Sequence, residues 1–250
     1  MEQQWNFFIK DWYGWAPSIT NKESWAAWFS TGECDDTDAS APKLTCIPPM
    51  KRRRLSFFAK MAIHVATEVG CSPQTPTIFA SRHGDLHKTS ALLENIADRE
   101  PLSPTQFGLS VHNAVAGQFH IFTNNQQANN TVSAGENTLL MALIDSVSRL
   151  ITGSSEEILL IFCDQPVPEI YQPYCNEPAF PHALALLLSK QQGQAVQLSK
   201  MQPSKNNPKQ NAHSTKLNEQ SLILLDMLSN TGAAHFKSEA GQAWTLSNVK

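Results

Sequence analysis

Residues 131–163 read TVSAGENTLLMALIDSVSRLITGSSEEILLIFC. Leu140, Leu143, Ile144, Val147 and then Leu150 or Ile151 recur with the 3.6-residue period of one helix face, which predicts a long helix over 136–151. The uncharged run Ile158–Cys163 that follows suits a strand covered on both faces of a sheet. Ahead of the helix, Asn129–Ser133 reads as a short strand. A short strand, a long apolar-faced helix and a buried strand form the repeating unit of an α/β domain.

The same alternation extends outward. Upstream, a strand is expected over Trp5–Trp15 and a helix over Asn21–Ser30, where Trp25, Trp28 and Phe29 share a face. A loop is expected from Gly32 to Pro49, then a helix over Leu55–Val69, a strand at Thr77–Ala80, and helices over Asp85–Arg99 and Asn113–Phe122. Downstream, strands are expected at His182–Ser189 and Ala195–Leu198, a helix over Leu217–Leu228 and a strand over Ala243–Val249. Residues 201–215 are almost wholly polar, carry two prolines and read as a loop.

Composition narrows the function. Of 250 residues, 19 are Lys or Arg and 22 are Asp or Glu, so the net charge is −3. Polarity comes instead from 17 Gln and 16 Asn. A nucleic-acid binder would carry a dominant basic face, and none is evident. No window approaches the roughly 18 apolar residues of a membrane span. The opening MEQQWNFFIKDWYGW has an acid at position 2 and lacks the basic-then-apolar order of a secretion signal. The five cysteines (Cys34, Cys46, Cys71, Cys163, Cys175) are odd in number and never form CxxC, which points to a reducing cytoplasm.

Motif chemistry is sparse. His83 and His87 stand four apart, but Gly84 follows the first where a zinc-protease pattern needs Glu, so no metal site is expected. Lys51–Arg54 is a run of four cations, read as a solvated surface or a docking patch for an acidic partner. Cys163 ends a buried strand, where nothing lowers a thiol pKa. Ser110 and His112 are too close to suggest a triad, and GxSxG, GxGxxG and phosphate loops are missing. No cofactor is implied.

Three segments, SPTQFGLSVHNAVAGQFHIF (103–122), TVSAGENTLLMALIDSVSRLITG (131–153) and EEILLIFCDQ (156–165), together resemble the layout of a β-ketoacyl synthase of the thiolase superfamily. WYGWAP (12–17), KRRRLSFFAKMA (51–62) and IFASRHGDLHKTSALLENI (78–96) extend the likeness to the N-terminal ketosynthase-like family of chain length factors in bacterial aryl polyene systems. The resemblance implies a truncated thiolase-like α/β fold, essentially the N-terminal half plus a short C-terminal extension. Residues 1–200 would be the ketosynthase-like domain, 201–215 a polar loop, and 216–250 a helix and strand packed on the same domain.

Where the family carries its nucleophilic cysteine, at the start of the long helix, this sequence has Glu136. A carboxylate there is favoured by the helix dipole but forms no useful thioester. The family's two catalytic histidines also lack counterparts, since His213 and His235 stand outside the matching motifs. The resemblance therefore implies a non-catalytic chain length factor, paired with a complete ketosynthase that elongates acyl chains on an acyl carrier protein. Asn129, Asn130, Thr131, Val132 and Ser133 would form the pairing strand. Phe107, Leu109 and Phe119 would reach toward the partner's acyl tunnel. The alternatives are a stand-alone acyltransferase or hydrolase using Cys163, a decarboxylase using Glu136, or a homodimeric scaffold.

Overall fold

Phe7 and Ile9, at alternate positions of β1 (Gln4–Trp15), point into the larger of two cores. The register then shifts between Ile9 and Asp11, and this bulge turns Trp15 toward the smaller core on the other face. The computed structural model describes residues 4–32, 40–175, 178, 180–201, 219–230, 232–237 and 242–249. Cys34, His213 and most of the expected polar loop lie outside the described residues.

Helices α1 (Lys22–Thr31), α2 (Pro49–Arg52) and α3 (Phe57–Glu68) come next, then β2 (Thr77–Ala80). They are followed by α4 (Leu86–Ala97), α5 (Pro104–Gly108), α6 (Ala114–Thr123), β3 (Asn129–Val132), α7 (Thr138–Thr152) and β4 (Glu157–Asp164). The chain closes with β5 (His182–Ser189), β6 (Gln194–Met201), α8 (Gln220–Ser229), β7 (Ala233–Lys237) and β8 (Ala243–Asn248). Caps written in the sequence start several helices: Asn21 and Ser24 form a reciprocal capping box on α1, and Ser56 Oγ accepts from Ala59 N on α3.

The strands form one sheet in the order β3-β2-β4-β5-β1-β6-β8-β7. β2 runs parallel to β3 and β4, and the remaining pairs are antiparallel. β4 and β5 are buried almost throughout because helices cover both faces. Ile158, Leu160 and Phe162 face the larger core with α7, α8 and α1, while Leu159, Ile161 and Cys163 face the smaller core with α3 and α6. α8 and α1 approach β1 so closely at Gly14 that an added Cβ would stand 2.7 Å from both Leu225 Cδ2 and Trp25 Nε1.

Four elements differ from the sequence-based expectation. α2 forms where the expected loop ends, initiated by Pro49 at its first position, and α5 starts the same way at Pro104. A 3₁₀ helix occupies Glu169–Tyr174. β7 is an edge strand with only two buried residues, Ala234 and Phe236, too weak a pattern to announce itself. Met201, assigned to the loop by its position, ends β6 opposite Ala243.

Candidate functional site

β3 delivers the chain to the start of α7 at the carboxyl ends of β2 and β4. The entry is a 3₁₀ turn over Gly135–Asn137, with Gly135 at φ +58°, a conformation costly for other residues. Glu136 projects from this turn with half its side chain exposed, and its Oε1 lies 3.9 Å from Arg82 Nη2. Thr138 Oγ1 accepts from Ala134 N at 2.9 Å and donates to Gly135 O at 2.7 Å.

A helix start offers unpaired N–H groups, the feature that suits it to anions. Here a side chain from a distant helix occupies that position. Gln220 Oε1, from α8, accepts from Leu140 N at 3.0 Å, and its Nε2 donates to Asn137 Oδ1 at 3.1 Å. The cavity left among Arg82, Glu136, Asp164, Glu219 and Ser221 is about 20 Å³, room for about one water. An acyl group does not fit.

Buried polar groups line this plug. Asp164, at the end of β4, accepts from Ser81 Oγ at 2.7 Å and from Arg82 N at 3.1 Å. Burial pushes its carboxyl up to about 7, only partly opposed by those two donors. Opposite it in register stands His182, fully buried. His182 Nδ1 meets Phe180 O at 3.1 Å, and its Nε2 meets Ser221 Oγ at 2.8 Å and Glu219 Oε1 at 3.0 Å. Burial alone would lower the imidazole pKa, but the Glu219 charge and hydrogen bond, with the Phe180 carbonyl, outweigh it and raise the pKa. Both Glu219 and Ser221 sit on the same ring nitrogen, so the group is an imidazolium clamp rather than a relay that would activate Ser221.

Both shifts make the fold more stable in acid. Asp164 stays protonated in the folded chain up to about pH 7, while the unfolded chain ionises near pH 4, so stability falls across that window. His182, raised above its ordinary value, adds stability below about pH 6.5 that is lost as pH climbs through its folded pKa. Denaturant titrations should therefore show a gain on going from pH 8 to pH 5, of which Asp164 supplies about 2–3 kcal/mol. Asp164→Asn, which keeps an acceptor for Ser81 and Arg82, should remove most of that slope; an unchanged slope would assign it elsewhere.

The other residues singled out in the sequence disperse. Cys163 is fully buried on the opposite face of the sheet, its Sγ 3.6 Å from Phe58 O, and burial pushes its thiol well above the usual range. It is no nucleophile in this fold, which removes the basis for a Cys163 acyltransferase. His83 Nε2 meets Cys175 Sγ at 3.3 Å, whereas His87 Nε2 meets Pro166 O at 2.8 Å. The two histidines do not converge, and among the described residues no group of three or more His, Cys, Asp or Glu is placed to hold a metal ion. The basic run is partly engaged: Arg52 Nη1 donates to Leu44 O at 2.9 Å, and Lys51 Nζ sits 5.9 Å over the Phe122 ring.

β3 is an edge of the sheet. Asn129 is exposed, Asn130 Nδ2 donates to Asp145 Oδ2 at 2.9 Å, Val132 packs on the larger core, and Ser133 Oγ donates to Arg82 O at 2.9 Å. Thr131 Oγ1 is buried without a hydrogen-bond partner. Phe107 is 60% exposed, and Leu109 lines a separate cleft. Phe119 is the correction: at 1% exposure it packs under the sheet in the smaller core and cannot itself touch a partner. Gln220, Glu219, Asp164 and His182 escaped sequence reasoning because no motif links them to partners as distant in sequence as Leu140 is from Gln220 or Ser81 from Asp164.

Among curated proteins none matches the chain. A chain of the complex of the ketosynthase ApeO with its chain length factor ApeC from Xenorhabdus doucetiae is 26% identical, with a TM-score of 0.79 over 97% of this chain and 99% of that one. The ishigamide ketosynthase/chain length factor matches at 10% identity and a TM-score of 0.69, over 98% of this chain and 100% of that one. A type II polyketide acyl-carrier protein complex with its ketosynthase (AntDE:AntF) matches at 12% identity and a TM-score of 0.67, over 99% and 100%. The last two likenesses show the fold alone, a mixed α/β fold of the thiolase-like ketosynthase type. The family described as "Beta-ketoacyl synthase, N-terminal domain" matches residues 25–246. The chain, with its strand-to-helix entry at Glu136, belongs to that β-ketoacyl synthase N-terminal-domain family.

Proposed function

We propose that this chain is a non-catalytic, chain length factor-like subunit that pairs with a complete β-ketoacyl synthase. The pair would elongate an acyl chain on an acyl carrier protein by decarboxylative condensation. What supports this reading is the start of α7, where Gln220 seals the helix terminus and Glu136 stands at the position that the family resemblance gives to the nucleophile. A partner must then supply the thiol. The likeness to chains from two ketosynthase–chain length factor structures, and from a carrier protein in complex with its ketosynthase, supports such a partner. The aryl polyene product class rests on the resemblance of the segments at 12–17, 51–62 and 78–96.

Intact-mass measurement after incubating the purified pair with an acyl donor tests the division of labour. The ketosynthase should gain one acyl mass and this chain none; an acylated chain would overturn the reading. Glu136→Gln should leave turnover of the pair within about two-fold and cost no more than about 0.5 kcal/mol, since its side chain is half exposed. A decarboxylase using Glu136 as base would instead lose roughly 10² to 10⁴-fold.

Phe107, 60% exposed on α5, is the bulky group that the family resemblance assigns to the partner's acyl tunnel. Phe107→Ala should shift the pair to longer products with each condensation slowed less than about two-fold. An unchanged product distribution would show that this subunit supports its partner without measuring the chain.

A further inference from the structure

The described thiols differ in what stands beside them. Cys163 Sγ donates to Phe58 O at 3.6 Å and Cys71 Sγ to Ala66 O at 3.8 Å, and burial raises both thiols above the ordinary range. A carbonyl oxygen accepts a hydrogen bond but cannot carry the proton away, so both stay neutral and inert. Cys46 is exposed. Cys175 differs from all three. It follows the 3₁₀ helix Glu169–Tyr174, and its Sγ lies 3.3 Å from Nε2 of His83, just past the carboxyl end of β2. An imidazole nitrogen is a base and can take the thiol proton outright as the sulfur reacts. Burial, the Arg82 guanidinium and His112 hold His83 below its ordinary pKa, so the ring is neutral at pH 7. With the thiol as donor, Nε2 is the unprotonated nitrogen, the form a base requires. The thiol itself is only half-buried, open to a small reagent.

From this pair we infer that Cys175 is a peroxide-reactive thiol, oxidised to the sulfenic acid with His83 as its base. The sulfur attacks one oxygen of hydrogen peroxide while its proton moves to His83 Nε2. A sulfur–oxygen bond forms and the oxygen–oxygen bond breaks. The departing hydroxide takes the proton from the imidazolium and leaves as water, which returns His83 to its neutral form. Sulfur loses two electrons and the peroxide gains them. The step needs neither an acyl donor nor the Glu136 turn, so it stands or falls apart from the subunit's role in condensation.

Hydrogen peroxide added at pH 7 to the full chain, in the assembly in which it purifies, tests this by peptide mass spectrometry of the oxygen gained at each cysteine. Cys175 should oxidise about ten-fold or more faster than Cys46, Cys71 or Cys163, a modest share of what a positioned base contributes. Exposure alone would put Cys46 first. His83→Gln should slow Cys175 about ten-fold or more and leave the Cys46 rate and the melting temperature unchanged. If that variant misfolds, the pH profile of the unaltered chain decides. Between pH 7 and 8 the Cys175 rate should change less than about two-fold because its base is already neutral, whereas an unassisted thiol of pKa about 8.5 gains about eight-fold. Cys46 oxidising as fast as Cys175, an unchanged Cys175 rate in folded His83→Gln, or a steep rise with pH would each overturn the inference.

Discussion

Thr131→Pro should separate this chain from its ketosynthase, weakening association about 100-fold while leaving the chain folded. Backbone direction decides the effect. Thr77 N donates to Ala128 O, and Ser81 N donates to Val132 O, so alternate residues 128, 130 and 132 turn their polar groups toward β2. The N–H of Thr131 therefore faces away from the sheet, at an edge a partner strand would extend. Proline removes that donor and puts a ring in the partner's path, which costs about 3 kcal/mol, or about 100-fold in affinity. Val132→Pro is the internal control, since it strikes the β2 ladder and should destabilise the chain itself. Size-exclusion chromatography of the co-expressed pair reads the first effect and thermal melting the second. Undiminished association of Thr131→Pro would move the interface away from β3.

Glu219→Ala should cost about 3 kcal/mol, read as a shift in the denaturation midpoint. The substitution strips the counter-charge from a fully buried imidazolium and leaves Ser221 Oγ without its acceptor. Breaking a buried pair from one side is expensive because the remaining charge must be neutralised or endured. Glu156→Ala, which removes an exposed partner of Lys190, should cost less than about 1 kcal/mol. Equal losses in the two variants would mean that the His182 clamp contributes no more than a surface ion pair. Because Glu219 and Gln220 are adjacent, loss of the clamp should also loosen the cap on α7.

Elements governed by a local pattern were readable before any coordinates. β5 and β2, buried along their whole length, fall where their runs begin and end, and α7 starts two residues later than expected only because Gly135–Asn137 winds as a 3₁₀ turn. Family membership was legible for a similar reason: the order of strand, turn and helix around Glu136 is contiguous in sequence. The interior of the candidate site was not legible. Its decisive contact joins Gln220 to Leu140, and nothing in the polar stretch before α8 marks that glutamine as a cap. Burial likewise set the fate of two candidates, since Cys163 and Phe119 have sequence neighbourhoods that fit either face of an element.

β1 bears a consequence for how the molecule is made. It is synthesised long before its neighbours, yet it lies in the interior of the sheet between β5 and β6, with Gln4 opposite Ser199 and Trp15 opposite Ala183. A ribosome must add roughly 170 further residues before either neighbour exists, a wait of roughly ten to thirty-five seconds at about 5–20 residues per second. Through that interval Phe7, Ile9 and Trp12 have no sheet to join, and closure depends on contacts spanning most of the chain. The nascent protein therefore spends its early life as an unpaired apolar ribbon, a natural client for ribosome-associated chaperones. Moving β1 to the far end by circular permutation would bring it beside strands already made.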